Sequence, residues 1–168
     1  MKPGKDYLLS QIKEGSVQVF YFEPERRYTS KRILSKNILG NFIGKDIKIV
    51  DSYCGQRCLD VLGDIKDCNI KFLTKVEKLG EREAKRFLRE LQDFKAENPK
   101  VEFRNYPNTD IHDRYIITAD FLVILGHSIK DLGAKESFAV ALHKDNNADI
   151  FKSLSENFDK RWEESSIL

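Results

Sequence analysis

Two periods of apolar residues alternate along this chain. Short runs in which apolar side chains alternate or crowd together are separated by stretches in which they recur every three or four residues. That pattern predicts strands interleaved with helices. The aromatic and β-branched run Val17–Phe22 (VQVFYF), closed by Glu23-Pro24, predicts a first strand. Ile47–Tyr53, Asn69–Val76 and Val101–Tyr106 predict three more, and Ile111–Thr118 and Phe121–Gly126 predict two strands joined near Ala119-Asp120. Phe121–Leu125 is apolar without a break, as expected of a strand buried on both faces. Ser137–His143 predicts the last strand.

Helical spacing fills the gaps. Asp6–Lys13 predicts a short helix before Gly15. Thr29 or Ser30 can cap a helix that carries Ile33, Leu34, Ile38 and Phe42 on one side and stops at Gly44. Gln56–Ile65 predicts another. Glu81–Glu97 is the clearest, with Ala84, Phe87, Leu88, Leu91 and Phe94 in one stripe and Glu81 and Glu83 in the first turn, where the helix dipole favours them. Asp149–Glu164 predicts a closing helix with Ile150, Leu154, Phe158 and Trp162 facing inward. Together these elements predict an α/β fold, a mixed β-sheet flanked by helices, in one domain over residues 1–168.

Composition narrows the function only slightly. With 168 residues, 40% hydrophobic, 33% charged and a formal net charge of +2, the chain has the makings of a soluble globular domain and no compulsion to bind nucleic acid. The charge is uneven. Lys2, Lys5, Lys13, Arg26, Arg27, Lys31, Arg32 and Lys36 make the first quarter basic, a face for phosphates or simply for water. Phe20, Tyr21, Phe22 and Tyr28 near Arg26 and Arg27 offer rings on which bases can stack, although Phe20 and Phe22 fit sheet packing better. Cys54, Cys58 and Cys68 match neither a disulfide framework nor paired zinc-site spacing, which points to reduced thiols in a cytoplasmic protein. The N-terminus lacks a long apolar segment, so neither a signal peptide nor a transmembrane span is expected.

The candidate chemistry gathers at His112-Asp113-Arg114, where one of only three histidines stands two residues from a fixed positive charge. Residues two apart on a strand share a face, so His112 and Arg114 would project side by side. An imidazole beside a guanidinium suits the attack or grip of a phosphoryl group. Hairpin register decides what joins them. A three-residue loop places His112 opposite Ser128 and Arg114 opposite Gly126; a two-residue loop places His112 opposite His127 and Arg114 opposite Leu125. The first register is preferred, because Gly126 would leave room for a bound group beside Arg114. Ser128 and Lys130 would then complete an oxyanion grip, and Gly133 a tight turn beside it. The structural alternative is that His112 pairs with Asp110 or Asp113 and Arg114 with Asp113, Asp120 or Asp131. Asp51 and Tyr53 end a strand, where sites gather in open α/β sheets.

The block from His112 to Ile117, followed by Gly126-His127-Ser128-Ile129-Lys130-Asp131-Leu132-Gly133, resembles the phospholipase D superfamily in a single-copy, divergent form. That family's signature is His-x-Lys, four residues, Asp, six residues, Gly-Ser-x-x-Asn. The resemblance implies a phospholipase D-like domain with His112 as the nucleophile that forms a phosphohistidine and Arg114 at the phosphate-binding lysine position. Asp120 falls one residue late for the acid. Ser128 matches the serine, and either Asp131 or Lys130 holds the asparagine position. His127 would be a second imidazole within the chain. With one motif per chain, the resemblance implies a homodimer that brings two His112 side chains together across a twofold axis. Histidine supplies both nucleophile and acid, so no metal or other cofactor is expected. Two functions follow: a phosphodiesterase acting on nucleic acid or phospholipid, or an inactive module that docks phosphate groups or a partner protein.

Overall fold

The computed structural model describes residues 17–42, 45–65 and 67–168. Its strands are β1 (Gln18–Phe22), β2 (Asp46–Val50), β3 (Asn69–Thr74), β4 (Val101–Asn105), β5 (Arg114–Ile117), β6 (Phe121–Leu125), β7 (Ser137–His143) and β8 (Ser166–Ile167). Helices α1 (Arg27–Arg32), α2 (Gln56–Gly63), α3 (Glu81–Glu97) and α4 (Ala148–Glu163) lie between them. All eight strands form one sheet in the order β1-β7-β6-β5-β2-β3-β4-β8. Only β2, β3 and β4 run parallel, since α2 and α3 supply the crossovers that parallel neighbours require. β5, β6 and β7 follow one another without a crossover helix, and those neighbours are antiparallel. This is the mixed, helix-flanked sheet that the sequence predicts. The N-terminal helix predicted over Asp6–Lys13 lies outside the described residues.

The two faces of the sheet have separate cores. On one, Ile47 and Ile49 of β2, Phe72 of β3 and Phe103 of β4 pack beneath Leu34, from the turn that follows α1, and Leu62, Phe87 and Leu91 from α2 and α3. Phe103 is the hub, stacked on Phe72 at 4.8 Å and met edge-on by Phe87 and Phe94. On the other face α4 alone covers Val50, Leu73, Tyr115, Ile117 and Leu122 with Phe158 and Trp162. The α4 stripe is therefore only half as deep as its spacing predicts, since Ile150, at the opposite end, is 46% exposed.

Helix α1 starts at Arg27, before the predicted caps, and continues as a wider π-helical turn over Ile33–Ile38 and a tight turn over Leu39–Phe42. Thr29 and Ser30 sit within it rather than capping it, because the chain turns earlier, at Glu23–Arg26. β8 has no sequence signal. Its two residues pair with Arg104 and Asn105 and cover the outer edge of β4.

The hairpin register differs from the preferred one. Arg114 pairs with Leu125 and Ile117 with Leu122, leaving a two-residue loop, Ala119-Asp120. Thr118 sets that length: its backbone N–H donates to the Phe121 carbonyl, and its hydroxyl accepts from the Phe121 N–H at 3.1 Å. Gly126 is accordingly not opposite Arg114 and leaves no room for a ligand. A Cβ there would meet Ser137 Oγ at 2.9 Å and the Phe138 carbonyl at 3.0 Å, so the absent side chain lets β7 approach.

Candidate functional site

The carboxyl ends of β2, β3 and β4 meet the start of β5 and the end of β6 at one end of the sheet. At the centre of that end sits Asp51, fully buried. Its Oδ2 accepts from the Ser128 hydroxyl at 2.8 Å and from the Ile129 N–H at 2.7 Å, and its Oδ1 accepts from the Tyr53 N–H at 3.0 Å. Burial pushes this carboxyl above its ordinary value; the three hydrogen bonds and the charge of Arg114 pull the other way without overcoming it. The carboxylate thus fastens the 126–133 loop to the end of β2.

Arg114, the first residue of β5, lies beside this knot. Its guanidinium stands 5.1 Å from the centre of the Tyr53 ring, and Lys78 Nζ stands 5.6 Å from the same ring. The Arg114 Nε is buried without a hydrogen-bond partner, and no carboxylate lies within ion-pair distance of the side chain among the described residues. A half-buried guanidinium with spare donors, a second cation and an aromatic face is a geometry that receives a phosphate.

His112 is not beside Arg114 on a strand, as the sequence predicts, because β5 begins only at Arg114. The imidazole is 95% exposed, with Nδ1 3.2 Å from Asp113 Oδ1. It lines an open pocket of about 230 Å³ with Ile150, Leu154 and Arg161 of α4, on the face of the sheet opposite Arg114. Arg161 bonds Asp110 and the Tyr115 hydroxyl, which draws the Asp110–Asp113 turn towards α4. Desolvation would raise the Asp110 carboxyl, but the neighbouring Arg161 charge and hydrogen bonds hold it below its ordinary value.

The remaining predicted residues disperse. Ser128 is buried and spends its hydroxyl on Asp51. Lys130 reaches Glu83 of α3 at 3.2 Å, and Asp131 faces the same side. Asp120 occupies the turn at the far end of β5, paired with Lys144 at 2.8 Å. His127 is half-buried after β6, and the third histidine, His143, packs edge-on against Phe121 at that far end too. Lys78 is the residue that sequence reasoning misses. It follows β3 in an ordinary polar turn, and nothing short of the sheet order brings it to Tyr53. Cys54 does not compete as a nucleophile: burial, then the hydrogen bond with Cys58, holds its thiol well above its usual range.

No protein-family model matches the chain, and no curated protein matches it. Solved structures do. The phospholipase D family member Nuc from Salmonella typhimurium superposes with a TM-score of 0.64 at 18% identity, covering 91% of this chain and 97% of Nuc. The fold is phospholipase D-like. Phosphatidylserine synthase from Haemophilus influenzae Rd KW20 gives 0.58 at 9% identity over 90% of this chain and 39% of its own. TrmBL2, an archaeal chromatin protein with a novel mode of DNA binding, gives 0.54 at 15% identity over 98% of this chain and 61% of its own. This chain therefore spans under two thirds of the latter two proteins. A phospholipase D-like sheet accounts for the grouping of Asp51, Tyr53, Arg114 and Ser128 at one end, where open sheets with parallel strands present their ligand sites. Among the described residues no helix is long and apolar enough to cross a membrane.

Proposed function

We propose that this phospholipase D-like chain binds nucleic acid, gripping a backbone phosphate at Arg114 without hydrolysing it within a single chain. The observation that carries this reading is the unpaired, half-buried Arg114 guanidinium, set with Lys78 around the Tyr53 ring. Burying a guanidinium donor without an acceptor is costly, and a phosphodiester oxygen would satisfy it. The likeness to a DNA-binding chromatin protein over nearly the whole chain favours nucleic acid over a lipid headgroup. Separation of His112 from Arg114 argues against hydrolysis by one chain, since nucleophile and phosphate grip would act on the same phosphorus.

The test is fluorescence anisotropy with a labelled DNA duplex and a single strand of the same sequence. Arg114→Ala should weaken binding by about tenfold and Lys78→Ala by a few-fold, as expected for lost phosphate contacts. Unchanged affinity in Arg114→Ala, with the fold intact by circular dichroism, sinks the proposal.

One observation favours a second reading. His112 is 95% exposed, so it is free to meet the His112 of another copy across a twofold axis. In that homodimeric phosphodiesterase, turnover of a generic phosphodiester and a trappable phosphohistidine would both vanish in His112→Ala. A preparation that is monomeric and never phosphorylated would rule it out.

A further inference from the structure

A second charged concavity lies between α1, α2, α3 and the 126–133 loop, and none of Arg114, Tyr53 or Lys78 lines it. It has two lobes, of about 210 and 230 Å³, with Arg27, Arg57 and Lys130 as their common wall. One lobe is cationic, where Arg86 of α3 and the first turn of α2 join that wall. The other has an apolar floor of Val61, Ile129 and Leu132, with Tyr28 at its rim.

The charges here are unevenly matched. Lys130 pairs with Glu83 and Lys31 with Asp64, but Arg27, Arg57 and Arg86 have no ion-pair partner among the described residues. Asp60 lines one lobe and Asp131 the other, neither bonded to these arginines. Three unpaired guanidinium groups around one hollow repel one another, and a polyanion relieves that repulsion. α2 also begins at Gly55 without a side-chain cap, so its positive end adds to the field.

The walls are fixed in place. The Arg26 N–H donates to the Gly133 carbonyl at 3.1 Å, and a Cβ on Gly133 would meet the Arg27 Cα at 2.7 Å. Helix α1 is thus clamped to the loop that carries Ile129 and Lys130. Tyr28, on α1, is 91% exposed although it borders an apolar floor. A ring in that position has a free face for another flat group. Either lobe alone is smaller than the usual ligand pocket of about 300–1,000 Å³, so a ligand with two chemically different halves fits the pair best.

We propose that the joined lobes bind a nucleotide, its phosphates among Arg27, Arg57 and Arg86 and its base on the apolar floor beside Tyr28. The site stands independently of the Arg114 grip. Isothermal titration with ADP, pyrophosphate and adenosine tests it. ADP should bind saturably and more tightly than pyrophosphate, and adenosine should bind weakest. The double variant Arg57→Ala/Arg86→Ala should lose about tenfold or more in ADP affinity. Tyr28→Ala should weaken ADP and leave pyrophosphate unchanged, and Arg114→Ala should leave ADP binding intact. All three substituted groove side chains are exposed, so the fold should survive, which circular dichroism checks. No saturable ADP binding, or ADP binding indifferent to the double variant, overturns the assignment. Equal affinity for ADP and pyrophosphate overturns the base half of it. Absence of ADP binding, with single-stranded oligonucleotide binding that the Arg57→Ala/Arg86→Ala variant weakens, would instead make the groove part of a nucleic-acid path and overturn the nucleotide proposal.

Discussion

Asp51 shows how a single side chain can define the end of a sheet. It is the acceptor for three donors from two chain segments, so Asp51→Ala leaves the Ile129 and Tyr53 amides and the Ser128 hydroxyl without it. The expected cost is about 3 kcal/mol or more, read from urea unfolding. Its pH signature is separate. Because burial raises the carboxyl in the folded state, the native protein holds this proton more tightly than the unfolded chain does. Stability from this group is greatest below the ordinary carboxylate range and declines as pH rises from there through the raised value. Wild type should therefore lose ground against Asp51→Asn as pH increases from about 3 to 7, a span that begins below the ordinary carboxylate value of about 3.9. A stability difference that stays flat across that range would count against an ionisable Asp51. In the sequence, Asp51 reads as one of several polar residues at a strand end, and its partners lie 77 and 78 residues away. That distance is why its role was not legible.

At the level of elements, periodicity carried most of the information. The strand over Val101–Tyr106 and the helix over Glu81–Glu97 are found within a residue of their expected bounds, because each shows its period over its full length. The hairpin register was legible only down to two choices. Thr118 decides between them, and a threonine hydroxyl that closes a turn is indistinguishable in sequence from one facing water. Thr118→Val should cost about 1 kcal/mol, the net worth of one hydrogen bond, in thermal or urea melts. Gly133 is a stronger case. With φ at +77° and the Arg27 Cα 2.7 Å from where a Cβ would stand, it joins a left-handed backbone to a close approach. Gly133→Ala should destabilise by about 2 kcal/mol or more. It should also loosen the clamp between α1 and the 126–133 loop, which faster amide exchange in Arg26 would report.

For the whole molecule, the sheet order separates groups that the sequence places together and unites groups that it places apart. His112 and Arg114, two residues apart, open onto opposite faces, whereas Arg27, Arg57, Arg86 and Lys130 gather from four segments into one groove. Linear motifs reveal the first kind of proximity and are blind to the second. With a net charge of only +2, the proposed affinity for nucleic acid would come from such local clusters rather than from the chain as a whole. Binding should accordingly weaken as salt rises, with a slope reflecting a few phosphate contacts. Arg114→Ala should reduce that slope by about one contact if it grips a single phosphate. A slope that does not change would place Arg114 outside the interface.

The Asp51 knot also has a kinetic meaning. Its carboxylate joins the end of β2 to a loop that follows β6, with only β5 between those strands, so the knot closes once β2, β5 and β6 lie side by side. A side-chain knot that tightens after its strands have paired is absent from the transition state, and losing such a contact acts on unfolding rather than on folding. Asp51→Asn should therefore leave the refolding rate nearly untouched and speed unfolding. The bond that locks the Arg114 end of the sheet would then set the lifetime of the folded state rather than the speed at which it is reached.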